Sequence, residues 1–180
     1  MRGGVIMSVV KAEKKTDKDL KLEELIMRGF LQKTVTIVKG LTFTVRTLSA
    51  EEIAFVYTLV EKKLKEYETE KPLNQQFLVL HTQALLAMAV IRKNGQPIEV
   101  EVEGASGVSK VPMPDRIVGN KDFKGSYVEV ALSKMDAISS ISGNILTKLS
   151  EEYNNLMEEV NSLIGKEDEI KNESTQEKDG

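Results

Sequence analysis

The sequence has no cysteine, no tryptophan and a single histidine among its 180 residues. The lack of cysteine excludes disulfides, thiolate zinc sites, iron–sulfur clusters and cysteine nucleophiles, and one histidine leaves little room for imidazole-based metal sites. Aromatic residues make up only 5% of the chain, so we expect an aliphatic core of Leu, Ile, Val, Met and Ala. We therefore predict a non-enzymatic protein that uses no metal and no cofactor.

Long apolar runs and a strong charge of one sign are also lacking. The longest apolar run, from Ala84 to Ile91, has eight residues, whereas a membrane-spanning helix needs about 20. The 25 Lys and Arg residues nearly balance the 28 Asp and Glu residues, for a net charge of −3, so no basic surface for nucleic acid is indicated. We expect a soluble intracellular protein with neither a membrane nor a nucleic-acid partner.

A β-hairpin is the clearest local prediction. Residues 34–38 and 41–46 alternate β-branched or aromatic residues with polar ones, mostly threonine, and Lys39-Gly40 supplies the turn. The threonines and Arg46 are predicted to face water. The face predicted to be buried comprises Val35, Ile37, Leu41, Phe43 and Val45. Since an isolated hairpin is only marginally stable, this face must be covered by a helix or by another chain.

Apolar residues at helical spacing predict a small helical body around the hairpin. The predicted elements are a helix over residues 17–30, a helix opening at Ser49, a helix over residues 72–91 that stops at Asn-Gly-Gln-Pro, and a strand over residues 98–103. Thr16 or Asp17 caps the first helix, and Ser49 with Glu52 forms a capping box at the start of the second. Together with the hairpin, these elements form an α+β core over residues 17–103.

The remainder of the chain divides into a loop, a helix and a tail. Four glycines and two prolines in residues 104–125 interrupt any regular spacing of apolar residues, so a long loop is predicted there. A long C-terminal helix is predicted within residues 126–165, with Gly165 as its cap. The N-terminal arm, residues 1–16, and the acidic tail, residues 166–180, are predicted to be disordered. The predicted fold class is therefore α+β, with the hairpin packed on the helical body and the long helix following.

A heptad seam marks the predicted C-terminal helix. Its six apolar residues are spaced 3, 4, 3, 4 and 3 apart and are the predicted partner-binding residues: Leu146, Leu149, Tyr153, Leu156, Val160 and Leu163. The same spacing also suits a helix packed on its own domain, and the sequence leaves both alternatives open. A partner-binding seam includes self-association, so a homo-oligomer is one possible assembly. Clustered acids, with Lys148 as the only cation, disfavour strong symmetric homodimerisation and favour a basic or neutral partner or the protein's own body.

Three stretches carry groups that catalysis or ligand binding could use. His81 lies on an apolar helix stripe with no acid within one turn, so a structural role is favoured. Glu99, Glu101 and Glu103 form an acidic row, but alternate residues on a strand are too far apart for a compact cation site without further ligands. A solvated strand edge is favoured instead. The glycine-rich residues 104–110 lack the spacing of a P-loop.

Several motifs together resemble a family of bacteriophage proteins. The run from Gly29 to Val35 leads into LTFTVRTLSAEE at residues 41–52, which fits the pattern aromatic-x-x-Arg-x-Leu-(Ser/Thr)-x-x-Glu. A helix ending in Ala-Val-Ile is followed by Asn-Gly-Gln-Pro at residues 94–97, and the closing helix contains Tyr-Asn-Asn-Leu at residues 153–156. Over residues 29–98 and 145–164 the chain resembles the tail assembly chaperones and related small tail or baseplate assembly proteins of long-tailed phages.

The resemblance implies a function and a set of partners. It implies a chaperone-like factor that binds the tape-measure protein or another phage tail protein in the host cytoplasm during assembly. The seam helix and the outer face of the hairpin are the expected contact surfaces. The alternative is a structural virion subunit of the tail, baseplate or neck, in which residues 104–125 order against neighbouring chains.

Overall fold

A computed structural model of the chain describes residues 15–66, 74–104, 107–119 and 126–176, with the side chains of 102–104 and 166–176 left out. The first element is α1, Asp17–Arg28, and Thr16 caps it as predicted. Asp19 completes a capping box, in which its carboxylate accepts from the Thr16 amide at 2.9 Å. At the other end Gly29 takes the left-handed conformation, with φ of 73°, that favours glycine after a helix.

The predicted hairpin is confirmed and belongs to a larger antiparallel sheet. Strands β1, Gln32–Val38, and β2, Leu41–Arg46, pair with Val35 opposite Phe43. Two further strands, β3 (Val90–Lys93) and β4 (Gln96–Pro97), extend the sheet in the order β1-β2-β3-β4.

Strand β3 corrects the prediction of a helix that continues through Ile91. That helix ends at Ala89, because the β-branched Val90 and Ile91 enter the sheet beside β2. Asn94 and Gly95, with φ of 51° and 78°, then form the two-residue turn that joins β3 to β4.

Helices α2, Ala50–Glu66, and α3, Asn74–Ala89, form the helical body. The predicted capping box opens α2: the Ser49 amide donates to Glu52 Oε2 at 3.0 Å, and the Glu52 amide donates to Ser49 Oγ at 3.3 Å. Pro72, the predicted start of the third helix, lies outside the described residues. Helix α3 contacts α2 and two later helices, α4 (Tyr127–Ser139) and α5 (Gly143–Gln176), so it occupies the centre of the body.

The predicted loop over residues 104–125 is wrong in its first half. The strand predicted at residues 98–103 is β5, Glu99–Gly104, and it pairs with β6, Gly107–Pro112, in a second hairpin. Gly104 pairs with Gly107 at the end of this hairpin, and Val-Ser-Lys-Val at residues 108–111 supplies the alternation of a strand. Beyond the hairpin, Met113, Ile117 and Val118 are buried in the core. Residues 120–125 lie outside the described residues.

The single predicted C-terminal helix is two helices, α4 (Tyr127–Ser139) and α5 (Gly143–Gln176). Serine hydroxyls cause the break: Ser139 and Ser140 donate to the carbonyls of Asp136 and Ala137 at 2.7 Å and so satisfy the end of α4. Gly165 lies inside α5 and does not end it as predicted. The helical backbone continues through residues 166–176, in line with the helix propensity of the Glu and Lys residues there.

The α+β fold class is confirmed. Most buried apolar residues form one core, in which Val35, Phe43 and Val45 of the hairpin meet α2, α3, α4 and the first part of α5. Ile37 and Leu41 are partly buried against this core, as the hairpin prediction requires. A smaller second cluster joins α1 to the later part of α5 and contains Leu25, Leu31, Leu156, Val160 and Leu163.

Candidate functional site

The heptad seam, the predicted partner-binding set, is packed inside the chain. Leu149, Tyr153, Leu156, Val160 and Leu163 are all less than 10% exposed, and Leu146 is half-buried. Leu149 and Tyr153 belong to the main core, whereas the last three seam residues pack against Leu31 and Leu25. Five of the six residues are therefore covered by β1, β2 and α1 of the same chain, which corrects their assignment to a partner surface, whereas half-buried Leu146 also lines the groove described below.

Ion pairs hold α5 in this position. Lys33 of β1 pairs with Glu152 at 2.7 Å, and Lys21 of α1 pairs with Glu159 at 2.7 Å. The hydrogen bond to Glu159, followed by a second one to Asp17, raises the pKa of Lys21. Two of the acids on α5 are thus neutralised by the chain itself.

Arg46 is buried, which corrects the prediction that it faces water. Its Nη2 and Nη1 donate to the two Glu52 carboxylate oxygens at 2.6 and 3.0 Å, and Nη1 also donates to the Thr47 carbonyl at 3.0 Å. The ring of Phe30 lies 5.3 Å from the guanidinium carbon. Burial is tolerated because the capping-box glutamate supplies a bidentate counter-charge. Thr44, also predicted to face water, is 8% exposed.

Glu52 is ionised in this site. Its burial opposes ionisation, but the hydrogen bonds and charge of Arg46, with the Ser49 amide and Arg116, outweigh burial and lower the pKa of the carboxyl. Arg46 and Glu52 are each only 1% exposed, so this is a fully desolvated pair.

Lys134 of α4 is a second cation in the same interior. It is 1% exposed, and burial, reinforced by the charge of Arg46, lowers the pKa of its ammonium to about 7 against the attraction of Asp115 and Glu52. Asp115 itself accepts two hydrogen bonds from Arg92 Nη2 at 3.0 and 2.9 Å. Lys134 of α4 is therefore a buried cation whose charge interacts with the Arg46–Glu52 pair that joins β2 to α2.

His81 lies in α3, and the acidic row and the glycine-rich stretch lie in the β5–β6 hairpin. The His81 ring lies 5.3 Å from the ring of Tyr57 and 6.0 Å from that of Phe77. Glu101 stands opposite Lys110 in the β5–β6 hairpin. Among the residues that the structure describes, no group of three or more His, Asp or Glu side chains is arranged to hold a metal ion. The glycine-rich stretch leads into β6, where a phosphate-binding loop would open a helix.

An open groove between α3 and α5, of about 420 Å³, is the candidate binding site. We name it the α3–α5 groove. Its α3 wall exposes Leu78 and Val79, 62% and 55% accessible, beside Thr82 and Gln83. Its α5 wall comprises Gly143, Leu146, Thr147, Ser150, Glu151 and Asn154. Among the described residues of the lining, Glu151 is thus the single charged one, in a chain where charged residues make up 29%.

Sequence reasoning overlooked this groove, although α3 carried a signal for it. The helical spacing of Phe77, Leu80 and Ala84 predicts the buried stripe of this helix, and Leu78 and Val79 lie off that stripe. Helix α3 has no Lys, Arg, Asp or Glu in its 16 residues. A helix without a charged face is normally buried all round, so its exposed side requires an explanation.

A larger cleft of about 700 Å³ lies between the sheet, the β5–β6 hairpin and the end of α4. Its apolar lining includes Phe43, Ile98 and Ile141, and exposed Lys93 and Glu99 place opposite charges in it. The α3–α5 groove is the better candidate because large apolar side chains, Leu78 and Val79, are more than half exposed there.

Within the described part of the chain, no helix is both long enough and apolar enough to cross a membrane. Comparison of the chain with protein-family models, with curated proteins and with solved structures finds no match.

Proposed function

We propose that this protein is a non-enzymatic assembly factor of a phage tail, which binds another tail protein such as the tape measure through the α3–α5 groove. The observation that carries the proposal is the exposure of Leu78 and Val79 in an almost uncharged groove. Protein interfaces are depleted of charge at their centre, and helical segments commonly bind in apolar grooves between helices. The protein would act in the host cytoplasm during assembly.

Burial of the apolar side chains of the groove would contribute favourably to the binding free energy of a partner. Full burial of a Leu or Val side chain is worth about 1.5–3 kcal/mol, and more than half of each of Leu78 and Val79 is accessible. Covering both therefore gains roughly 2–3 kcal/mol before other contacts are counted. Such a gain suits a client that is bound and later released.

The shared sequence motif has a structural basis here. Phe43, Arg46, Leu48 and Glu52 of the aromatic-x-x-Arg-x-Leu-Ser-x-x-Glu pattern are all less than 10% exposed. The pattern joins the hairpin to α2 through the Arg46–Glu52 pair and the capping box. The motif thus explains how the hairpin and α2 fold together. The proposed function depends on the groove and on the resemblance.

A structural virion subunit is the second candidate. Strand β6 favours it, because residues 107–110 are exposed and Val108 is 66% accessible. An accessible strand of this kind can pair with another chain. Mass spectrometry of purified particles separates the two candidates, since an assembly factor is expected in infected cells and not in finished virions.

Binding is tested by mixing the purified protein with each tail protein of the same phage and measuring complex mass by size-exclusion chromatography with light scattering. We expect a complex that Leu78→Asp abolishes. Val108→Asp, at an equally exposed apolar residue far along the chain, is the matched control and should leave the complex intact. Failure of every tail protein to bind would refute the proposal.

A further inference from the structure

We infer that the occupant of the α3–α5 groove is a basic amphipathic helix of another protein, with lysine or arginine spaced to reach Glu151 and Glu158 of α5. This inference rests on the proposed function and specifies its partner.

The α5 wall has the dimensions of a helix-binding surface. Gly143, Thr147, Ser150 and Asn154 follow one another at helical spacing along the groove. From Gly143 to Asn154 the rise is about 16 Å, or three turns. Small side chains on this line allow the backbone of a second helix to approach, while Leu78 and Val79 on the opposite wall offer apolar contact.

Charge on the same wall is entirely negative. Glu151 lines the groove, and Glu158, four residues beyond Asn154, continues the line past its end. Both are exposed. Lys33 and Lys21 neutralise Glu152 and Glu159, but no cation among the described side chains lies within ion-pair distance of Glu151 or Glu158. A partner that carries cations seven residues apart would neutralise both.

A second copy of the chain does not meet this requirement. Helix α3 brings no cation, and Lys148 is the only one on α5 from Gly143 to Gly165. The Lys148 ammonium donates to the Thr36 carbonyl of β1 at 3.4 Å and so points towards the sheet. A symmetric pair of α3–α5 grooves would therefore leave its glutamates without counter-charges.

Two synthetic helices of about 18 residues, long enough to be helical in part, test the inference. Both peptides carry leucine on one face and alanine elsewhere. At two positions beside the leucine face, seven residues apart, one peptide has lysine and the other has glutamate. Affinity is measured by fluorescence anisotropy at low and high salt. We expect the lysine peptide to bind roughly tenfold tighter than the glutamate peptide at low salt, with the difference reduced at high salt.

Variants then assign the preference to named residues. The double change Glu151→Lys and Glu158→Lys should reverse the preference for the lysine peptide, so that the glutamate peptide binds tighter. Glu61→Lys with Glu66→Lys, on exposed positions of α2, is the matched charge control and should preserve it. Leu78→Asp should weaken the lysine peptide at least about fivefold, as expected for a central apolar contact. Circular dichroism checks that each variant is folded.

Equal binding of the two peptides, no binding of the lysine peptide at about 1 mM, or a preference unchanged by the double charge reversal would overturn the inference. The proposed function fails separately. If a tail protein binds and Leu78→Asp disrupts the complex while the peptides show no charge preference, the function stands and the inference fails. If the peptides behave as expected but no tail protein binds, the groove chemistry stands and the tail-assembly function fails.

Discussion

Replacing Lys134 by methionine should stabilise the protein, which is unusual for a change in the core. Methionine has a similar length and an apolar, adaptable chain, and Lys134 is 1% exposed. Burial lowers the pKa of Lys134 from 10.5 to about 7. At about 1.36 kcal/mol per pH unit, this difference corresponds to a folding penalty of roughly 5 kcal/mol when the amine must be protonated.

The penalty depends on pH in a defined direction. Between pH 7 and 10.5 the unfolded lysine holds its proton while the folded one has lost it, so the unfolded state binds more protons and stability rises with pH. The penalty is therefore complete below pH 7, about 4 kcal/mol at pH 7 and about 2 kcal/mol at pH 9. Tyr153, whose pKa burial raises to about 12, acts in the opposite direction and only above about pH 10.

Urea unfolding followed by circular dichroism at pH 7 and pH 9 measures both effects. We expect Lys134→Met to raise the free energy of unfolding by up to about 4 kcal/mol at pH 7 and to remove a gain of about 2 kcal/mol between the two pH values. Lys110→Met, at an exposed lysine of β6, is the matched control and should change neither the free energy of unfolding at pH 7 nor its dependence on pH. A destabilised Lys134→Met variant, or one with the pH dependence of the unmodified protein, would refute the reasoning.

Three further predictions concern the core and the groove. Glu52→Gln should cost about 3–5 kcal/mol in urea unfolding at pH 7, because Arg46 would remain buried without a counter-charge; an effect below 1 kcal/mol would contradict a desolvated pair. The pKa of Glu52 is lowered in the folded state. The stability that its ionised carboxylate contributes should therefore be lost as the pH falls from the ordinary Glu pKa towards the folded pKa. The free energy of unfolding of Glu52→Gln should depend less on pH over this range. Leu156→Glu should unfold the monomer, by several kcal/mol from one buried charge, and a folded variant that only loses a partner would restore the seam as an interface. Leu78→Asp should change the free energy of unfolding by no more than about 0.5 kcal/mol, as at other exposed sites; a cooperative loss of stability would show that Leu78 is core.

Local signals in the sequence were enough to predict the hairpin, the Ser49–Glu52 capping box and the α+β class. The alternation of Val35 and Phe43 with threonines, and the Ser49-x-x-Glu52 spacing, act over a few residues and need no tertiary information. The break between α4 and α5 could not be predicted in the same way. Serine hydroxyls compete with the helix only where the packing of the flanking segments favours a turn.

Several of the errors share a physical cause, which is contact between different elements of the fold. Arg46 could be buried only because Glu52 meets it with both carboxylate oxygens, and Val90 and Ile91 left their helix to pair with β2. The heptad seam fitted a partner helix and the chain's own body equally well, because both require apolar residues at the same spacing. The groove depends on how α3 and α5 lie together, so periodicity within either helix does not reveal it.

Methyl NMR spectra of the leucine- and valine-labelled protein, recorded while the lysine peptide is added, test binding in the α3–α5 groove most directly. Our account predicts that the methyl resonances of Leu78, Val79 and Leu146 shift together with increasing peptide. The resonances of Val108, on the β5–β6 hairpin, should stay in place. Shifts at Val108 with none at Leu78 and Val79 would contradict it.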